Sequence, residues 1–569
     1  MHPMHHKLLA VLGIMALGFS CSQGIPHTDA ILPDDQAIDT PTPDLDSSGP
    51  LACTPPAMIE DPAWYHTAVG YEVFVRSFRD SDGDGIGDFA GLLEKLDYLN
   101  DGVPGEGDDL EVDLIWLMPI HPSPSYHGYD VIDYRDVHGD YGGMEGFEAF
   151  LTAAHERGIK VIIDLVVNHS SKQHPWFQAS AAGEGYEDWY IWSDTPKDWK
   201  RPWDGGATWH KHGDRWYYGI FWGGMPDLNY ASADLTAQMH DIGRYWLEKG
   251  VDGFRLDAVR YLVETGPAGG QQDVNETLAW WRDFAAAMRA IRPDALLVGE
   301  AWTSNSIAAL YHGDGDSLSM TFDFDLSAAL LGAVKGSDGV DIENVLCRFG
   351  DQFPAGAADG VFLTNHDMVR AASELGEEDE ASRLAAGLLF AMPGTPWIYY
   401  GEEIGMRNGT SLGDEAKRKP MQWTAAANGG FTEGAPWEPL HPETATINVA
   451  AQTEDPDSLL SLYRALIRAR RSSAALLRGG ATVAEIRSPT SAEVWGLLRC
   501  TDNEKVLCAF NLGETGALAV TATTDGAAAS AKDLLSGEVV PVVDGQIQVG
   551  DLGPRSFRYL RLLPLGNSP

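Results

Sequence analysis

Basic side chains are scarce in this sequence. Its 569 residues contain 40 Lys and Arg against 83 Asp and Glu, which gives a formal net charge of −43 at pH 7. A protein that binds nucleic acid needs a basic surface to meet the phosphate groups, so this composition argues against a nucleic-acid partner. It suits a soluble protein that acts on a neutral molecule, and it is equally compatible with a salty habitat.

Long apolar runs are also missing, except at the N-terminus. Residues 8–19 form an apolar run of about 12 residues after a weakly basic start, which is too short to cross a bilayer and has the length of a secretory signal. The run ends just before Cys21, as in bacterial lipoprotein signals, although Gly18 stands where such signals usually carry Leu. We therefore predict a signal peptide over 1–21, either of the ordinary type or with a lipid anchor at Cys21. The expected location is periplasmic, anchored to the outer membrane as a lipoprotein, or secreted.

Cysteine is rare as well, with 5 in the whole chain. Besides Cys21 these are Cys53, Cys347, Cys500 and Cys508, and some of them could pair in an exported protein. Cys500 and Cys508 flank the turn-like stretch TDNEK, so one alternative sets them opposite each other in a hairpin. The spacing leaves the connectivity open.

The remaining pattern predicts a barrel enzyme with two additions. Residues 22–60 are rich in Pro, Asp, Ser and Thr, which predicts a disordered linker. Over 61–480 short apolar strands alternate with amphipathic helical stretches, and a closed (β/α)8 TIM barrel fits this length better than a doubly wound sheet. Residues 170–228, rich in Gly, Trp and Tyr, predict a subdomain inserted after the third strand. Short alternating strands over 485–569 predict a C-terminal antiparallel β-sandwich domain. The fold class is therefore α/β.

Carboxylates stand where three of the predicted barrel strands end. Asp257 closes GFRLD, Glu300 lies in GEAW, and Asp367 closes TNHD. The active site of a barrel enzyme lies at the C-terminal ends of its strands, so we expect these carboxylates to share one mouth. Each alone is explained as a helix cap, but their joint arrangement predicts chemistry. Two nearby carboxylates suit glycoside hydrolysis, in which one is the nucleophile and the other the general acid.

The neighbours of these carboxylates fit the two roles. Arg255 precedes Asp257 by two positions, and because side chains alternate along a strand the two share one face. The guanidinium would hold Asp257 in its charged form, which a nucleophile needs. Burial of Glu300 beside Trp302 would raise the pKa of that carboxyl and keep the acid protonated.

Together these motifs resemble the α-amylase family, glycoside hydrolase family 13, over roughly residues 64–560. The stretches DLVVNH, GFRLDAVRY, GEAW and FLTNHD stand in family order, with MPDLN in the insert and GTPWIYYGEEIGM near the last barrel strand. The resemblance implies Asp257 as nucleophile, Glu300 as acid/base and Asp367 as a third carboxylate that binds sugar hydroxyls. It also implies five substrate-binding residues, namely Tyr129, Asp130, His169, Arg255 and His366. Tyr129 would stack beneath the reacting ring.

A second motif, DSDGDGIGD, precedes the first predicted barrel helix. Oxygen ligands at alternate positions suit Ca²⁺, which takes six to eight hard oxygens, and an acidic glycine-rich turn is the alternative. The predicted ligands are Asp80, Asp82, Asp84, Ile86 through its carbonyl oxygen, and Asp88. The motif resembles the calcium loop of the oligo-1,6-glucosidase branch. Arg260 and Tyr261 replace a Lys-His pair whose His binds a further calcium in many α-amylases, which argues against that second ion.

Departures within the motifs place the chain between two branches of the family. MPDLN lies between the QPDLN of oligo-1,6-glucosidases and the MPKLN of neopullulanases, and Ala258 is a small residue of the kind that accompanies α-1,4 preference. The resemblance therefore implies a retaining α-amylase acting on starch or maltodextrins, with Ca²⁺ as cofactor, and we expect a monomer. The alternatives are an α-glucosidase or oligo-1,6-glucosidase, a glucan transferase on short maltooligosaccharides, and an inactive relative that only binds. The many aromatic side chains of the insert either pack the subdomain or line a groove.

Overall fold

A computed structural model describes residues 55–105, 107–410, 413–524 and 528–564. The predicted signal peptide, its anchor residue Cys21, Cys53 and most of the predicted linker lie outside the described residues. Within the described ranges, no helix combines the length with the apolar character that crossing a bilayer requires.

The last residues assigned to the linker are ordered. The Ile59 amide donates to the Arg478 carbonyl oxygen at 3.0 Å, and the Ala481 amide donates to the Pro56 carbonyl oxygen at 3.0 Å. Pro56 is buried in this contact. The linker prediction is wrong for residues 55–60, because their backbone groups find partners beside the first strand of the C-terminal domain.

Eight parallel strands close into a barrel in their order along the chain. The strands, numbered first to eighth below, are Gly70–Val73, Leu114–Leu117, Lys160–Leu165, Gly253–Leu256, Leu296–Gly299, Met320–Phe322, Ala358–Phe362 and Thr395–Tyr399. Large rings fill the interior: Trp116 and Trp397 both contact Phe322, with ring centroids 5.4 Å apart in each case. The interior is thus a packed core and not a pore, and the predicted TIM barrel is confirmed.

Helices lie between and after the barrel strands, and longer ones such as Ala233–Lys249 and Asn275–Ile291 bury an apolar face. The α-helices are Val75–Phe78, Phe89–Glu94, Leu96–Leu99, Gly143–Glu156, Pro175–Ala182, Ala233–Lys249, Asn275–Ile291, Asn305–Ala308, Phe324–Gly336, Val340–Gln352, Ala371–Glu374, Asp379–Ala391, Val449–Thr453, Leu459–Arg471 and Ala474–Arg478. In Ala233–Lys249 the buried side chains Leu235, Met239, Ile242 and Trp246 recur every three or four residues, as on one face of a helix. That helix ends at Gly250, whose φ of 109° suits a glycine cap.

A small subdomain lies between the third and fourth barrel strands. It contains the helix Pro175–Ala182 and a three-stranded antiparallel sheet formed by Trp192–Ser193, Trp209–His212 and Arg215–Tyr218. Aromatic rings make much of its packing, as where Trp176 contacts Trp189 with centroids 4.8 Å apart. These two tryptophans therefore pack the subdomain, which is one of the two roles predicted for the aromatic side chains of the insert.

Over its described residues, the C-terminal domain forms one antiparallel sheet of nine strands. Its strands are Gly480–Val483, Ile486–Arg487, Val494–Cys500, Lys505–Asn511, Ala517–Thr523, Ala528–Asp533, Val539–Val543, Gln546–Leu552 and Ser556–Pro564. Side chains from both halves of the sheet, such as Leu507 and Val549, share a second apolar core, so the sheet is folded over on itself. The predicted antiparallel domain is confirmed, as a single continuous sheet.

The strand register decides the question of the hairpin cysteines. Cys500 lies opposite Lys505 and Cys508 lies opposite Leu497. No disulfide joins Cys500 to Cys508. The alternative that set the two sulfurs opposite each other is wrong, because the turn closes directly after Cys500 and leaves Cys508 three residues beyond the turn-facing Lys505.

Candidate active site

The fourth and fifth strands pair closely from their first residues. Gly253 has a φ of 154°, and a Cβ atom at this position would lie 2.0 Å from the Leu296 carbonyl oxygen. Only glycine allows this contact between the strands. The two strands run parallel in register up to Leu256 and Gly299, so the next residues, Asp257 and Glu300, lie side by side at one mouth.

One guanidinium group joins the carboxyl groups there. Arg255 Nη1 lies 2.6 Å from Asp257 Oδ1 and 3.0 Å from each carboxylate oxygen of Asp164. Arg255 Nη2 lies 2.9 Å from Glu300 Oε2. The Arg255 side chain is only 1% exposed, and its guanidinium also lies 5.0 Å from the centroid of the Trp116 ring. We call Arg255, Asp164, Asp257 and Glu300 the arginine cluster.

The arginine cluster holds one fixed positive charge against three carboxyl groups, so protonation of a carboxyl is favoured. Burial raises the pKa of Glu300 to about 7; the charge of Asp257 adds to this shift and that of Arg255 opposes it. Burial likewise raises the pKa of Asp164 to about 7. The raised pKa expected for Glu300 is present, and the Trp302 ring, expected beside it, stacks on Phe324 with centroids 4.7 Å apart.

The residue after Asp257 has an unusual backbone. Ala258 adopts the left-handed conformation, with φ 48° and ψ 41°, which is rare and strained for a residue with a Cβ atom. Its amide donates to Glu300 Oε2 at 3.0 Å. The turn therefore directs a backbone donor at the acid candidate, which no feature of the sequence indicated.

A second charged group surrounds Asp367. His366 Nε2 lies 3.1 Å from Asp367 Oδ2, and Arg418 Nη2 donates to Asp367 Oδ1 at 2.7 Å. His366 Nδ1 lies 2.5 Å from Glu72 Oε1. Burial acts to lower the pKa of His366, but the charges of Asp367 and Glu72 raise it to about 9. Burial acts to raise the pKa of Asp367, but His366 and Arg418 hold it far below its usual range.

Tyr129 connects the two charged groups. Its hydroxyl donates to Asp164 Oδ2 at 3.0 Å and lies 2.7 Å from His366 Nε2. Its ring is nearly parallel to the His366 imidazole, at an interplanar angle of 14°. The predicted residues Tyr129, Arg255 and His366 are thus brought together with the three predicted catalytic carboxylates.

His169 and Asp130 differ in their surroundings. His169 is buried, its ring contacts Phe221 with centroids 5.3 Å apart, and within the described chain its Nε2 atom has no hydrogen-bond partner. A buried ring nitrogen is normally paired, so this atom is available to a ligand. The buried carboxyl of Asp130 instead accepts hydrogen bonds through Oδ1 from Ser123 Oγ at 2.6 Å and from Ser125 Oγ. The carboxyl group of Asp130 is therefore paired with serine hydroxyl groups a few residues before it in the chain.

The acidic loop brings together part of its predicted ligand set. Carboxylate oxygens of Asp80, Asp82 and Asp88 lie within 4.8 Å of one another, as the ligands of one cation would. Asp84 is outside this group, and its Oδ1 accepts from the Ile86 amide at 2.7 Å.

Sequence reasoning missed three members of the site. Asp164 lies inside the third strand, Glu72 inside the first, and Arg418 in a loop after the eighth. Asp164 is visible as the charged residue in DLVVNH, but nothing local marks Glu72. Arg418 does stand in KRKP, a basic stretch that is rare in so acidic a chain, and this is the one signal that was available.

Comparison with known proteins agrees with this geometry. The family described as "Alpha amylase, catalytic domain" matches residues 72–479. Alpha-amylase 3 of Dictyoglomus thermophilum is 39% identical over 458 residues, which cover 79% of this chain and 85% of that protein. An oligo-1,6-glucosidase of Parageobacillus thermoglucosidasius is 31% identical over 520 residues, covering 79% and 91%. The crystal structure of an α-amylase from H. orenii matches with a TM-score of 0.78 at 35% identity, covering 88% of this chain and 100% of that one.

These relatives include an α-amylase and an oligo-1,6-glucosidase, which is consistent with the intermediate subfamily predicted between the oligo-1,6-glucosidase and neopullulanase types. The family match spans most of the barrel and contains every member of the arginine cluster. The chain is therefore an enzyme that belongs to the α-amylase family, glycoside hydrolase family 13.

Proposed function

We propose that the protein is a retaining α-amylase that cleaves α-1,4-glucosidic bonds of starch or maltodextrins through a covalent glycosyl-enzyme intermediate. The observation that carries this proposal is that Asp257 and Glu300 bind the same guanidinium, at 2.6 and 2.9 Å. Carboxyl groups that share one small planar cation are close neighbours. Retaining enzymes need such closeness, at about 5–5.5 Å, whereas inverting enzymes separate the groups by about 6.5–9.5 Å to admit water.

In the first step Asp257 is the nucleophile. Its carboxylate, paired with Arg255, attacks the anomeric carbon, and the bond from that carbon to the glycosidic oxygen breaks. Glu300, protonated near neutral pH because burial raises its pKa to about 7, gives its proton to the departing oxygen. In the second step Glu300 takes a proton from water, whose oxygen then displaces Asp257 from the sugar.

Asp367 and the residues around it hold the reacting sugar. The ionised Asp367 is fixed by Arg418 and His366, so it can accept hydrogen bonds from sugar hydroxyls without moving. A fixed carboxylate also favours the positive charge that develops on the ring in the transition state. The Tyr129 ring offers a face to the sugar, and the unpaired His169 Nε2 offers a further contact.

Products resolved over time test this assignment. An α-amylase lowers the viscosity of soluble starch rapidly, releases mixed maltooligosaccharides, and gives products that are initially the α-anomer by NMR. Slow attack on starch, with glucose or longer transfer products from maltotriose, would contradict the α-amylase assignment. Products that are initially β-anomers would contradict the retaining mechanism.

The second candidate is an α-glucosidase or oligo-1,6-glucosidase, or a glucan transferase, acting on short maltooligosaccharides. The 31% identical relative named oligo-1,6-glucosidase favours it. So does the stretch KPMQW, residues 419–423, which resembles a motif of the glucosidase branch of the family. The same maltotriose time course decides between the two candidates.

We also propose that the acidic loop binds Ca²⁺. Asp80, Asp82 and Asp88 would hold the ion, and the ion would neutralise three converging carboxylates beside the helix Phe89–Glu94. The role is structural, since Asp80 is tied by its amide to the Phe431 carbonyl oxygen, outside the arginine cluster. A chelator is expected to lower the melting temperature, and Ca²⁺ to restore it. An unchanged melting temperature, together with no Ca²⁺ uptake in titration calorimetry, would contradict the site.

We further propose that the enzyme is exported and acts on glucan outside the cytoplasm, with a lipid anchor at Cys21. The apolar run over 8–19 and its position before Cys21 support this. Labelled palmitate should be incorporated by the wild-type protein and not by Cys21→Ser. Recovery of the full-length, unprocessed chain in the cytoplasm would contradict export.

A further inference from the structure

Arg260 lies in the turn after the fourth strand and connects two segments of the mouth. Its Nη1 atom donates to the carbonyl oxygen of Trp302 at 2.7 Å. Its Nε atom donates to Asp273 Oδ1 at 3.0 Å, and its Nη2 atom donates to Asp273 Oδ2. The Arg260 side chain is only 10% exposed, so these contacts are largely shielded from water.

Asp273 holds the guanidinium in one orientation. The Tyr311 hydroxyl donates to Asp273 Oδ1 at 2.7 Å, and the Asp273 amide donates to the Arg260 carbonyl oxygen at 2.9 Å. Asp273 has a left-handed backbone, with φ 54°, a conformation that costs free energy and persists only where the surrounding structure imposes it. The planar guanidinium would break its paired contacts with this carboxylate if it turned away from Trp302.

Both ends of this connection lead to Glu300. On one side, Arg260 shares its turn with Ala258, whose amide donates to Glu300 Oε2 at 3.0 Å. The Tyr261 amide closes the turn on the Ala258 carbonyl oxygen at 3.1 Å. On the other side, Trp302 follows Glu300 by two residues, in a segment that is neither helix nor strand. Arg260 therefore fixes the backbone after Glu300 to the turn that holds the Glu300 carboxyl group.

We propose that Arg260 is a positioning residue for the general acid. By joining the turn to the Trp302 carbonyl oxygen, it holds the Glu300 carboxyl group where it can protonate the leaving oxygen. The inference rests on the proposed function, in which Glu300 is the acid. A catalytic group must be held within about 0.5 Å of its productive position, and a displacement of about 1 Å can cost about 100-fold in rate. The rigid guanidinium fork fixes both partners, which a lysine ammonium on a flexible stem does not.

Two substrates with the same sugar and different leaving groups isolate this effect. Phenol is a poor leaving group that needs the proton of the acid, whereas 2,4-dinitrophenol leaves without it. The quantity measured is the ratio of kcat/KM for phenyl α-maltoside to kcat/KM for 2,4-dinitrophenyl α-maltoside. Loss of folded protein lowers both values equally and leaves the ratio unchanged.

Arg260→Met should lower this ratio about tenfold, because general acid catalysis contributes about 10²–10⁴-fold and a displaced acid loses part of that contribution. Arg260→Lys should lower it less. If Arg260→Met does not fold, Asp273→Asn carries the same test, since it keeps the shape of the side chain and removes the charge that orients Arg260. Its ratio should fall as well, and a wild-type ratio in the folded variant would overturn the positioning role.

Arg292→Met is the matched control. Arg292 makes the same kind of connection at the opposite end of the fourth strand, where its Nη1 donates to the Val251 carbonyl oxygen at 2.7 Å and its Nη2 to Asp252 Oδ1 at 2.5 Å. This variant should lose stability and keep the wild-type ratio. An equal fall of the ratio in Arg292→Met would show a general effect of losing a bridging arginine, and the inference would be wrong.

Glu300→Gln separates failure of this inference from failure of the proposed function. If the ratio falls strongly in Glu300→Gln but not in a folded Arg260→Met, the positioning role is overturned and the assignment of the acid stands. If Glu300→Gln leaves the ratio unchanged, Glu300 is not the acid, and the proposed mechanism fails together with the role of Arg260.

Discussion

Arg255 and Arg470 are both fully buried, and their neighbours are of opposite kinds. Arg255 binds three carboxyl groups at the barrel mouth. Arg470 binds only backbone, donating to the carbonyl oxygens of Phe390 at 3.2 Å, Met392 at 3.1 Å and Gly394. These carbonyl groups belong to the end of the helix Asp379–Ala391 and the residues just beyond it, where backbone acceptors lack partners within the helix.

Arg499, in the C-terminal domain, is a second buried arginine that binds backbone. Its Nη1 donates to the Ala391 carbonyl oxygen and its Nη2 to that of Gly479, both at 2.8 Å. Burial lowers the pKa of Arg470 to about 9 and that of Arg499 to about 10. Burial opposes the charge of Arg255 as well, but the neighbouring carboxylates, with Asp164 first, raise its pKa well above the usual value.

Buried arginines therefore have two different roles in this protein. At the barrel mouth, Arg255 holds three carboxyl groups together and opposes the protonation that burial favours in Glu300 and Asp164, and this is a contribution to chemistry. Arg470 and Arg499 instead satisfy backbone carbonyl groups, and only Arg499 does so from the C-terminal domain, so this role is structural. Substitutions in the two places should therefore separate activity from stability.

The largest effect is expected from Asp257→Asn. Loss of the nucleophile should lower kcat/KM for maltohexaose by roughly 10⁴-fold or more, because residues that form covalent intermediates have no substitute. The circular dichroism spectrum should be unchanged. A variant that keeps more than about a hundredth of the activity would contradict the mechanism.

Arg255→Met should damage both activity and stability. It leaves three carboxyl groups without their cation, which costs about 3–5 kcal/mol of unfolding free energy. Because Asp164 and Glu300 have raised pKa values, the folded state takes up protons on acidification. The deficit relative to wild type in urea unfolding should therefore shrink from about pH 8 to about pH 5, and a deficit that grows would contradict the cluster.

Arg499→Met should damage stability alone. Three carbonyl oxygens, those of Ala391, Gly479 and Gly480, lose a donor, so the expected loss is about 1–3 kcal/mol in urea unfolding. The value of kcat/KM for maltohexaose should stay that of the wild type. A matching fall in kcat/KM at a temperature where the variant is folded would break the separation between the two arginine sites.

The smallest effect is a pH dependence that belongs to the arginine cluster. Glu300 must be protonated to act as acid, and its pKa is raised to about 7, so kcat/KM for maltohexaose should fall about tenfold per pH unit above that value. With α-maltosyl fluoride, whose leaving group needs no acid, this limb should disappear. If kcat/KM fell in the same way on the alkaline side for both substrates, the group that titrates would not be Glu300.

The sequence was sufficient for the barrel and for most of the cluster. Alternation along a strand put Arg255 and Asp257 on one face, and strand ends put Glu300 and Asp367 at the same mouth. Local patterns do not encode the partners of Asp367, since Arg418 reaches it from a loop after the eighth strand and Glu72 acts through His366 from the first. The same holds for the left-handed Ala258, which the surrounding fold imposes.

Identification of the nucleophile tests the account most directly. A 5-fluoro-α-maltosyl fluoride forms the glycosyl-enzyme quickly and releases it slowly, so the labelled enzyme can be digested with trypsin and its peptides weighed. Cleavage after Arg255 and Arg260 gives the peptide LDAVR, residues 256–260. The account predicts the added mass on this peptide, at Asp257. A label on the peptide that carries Glu300 or Asp367, or an intermediate that never forms, would contradict it.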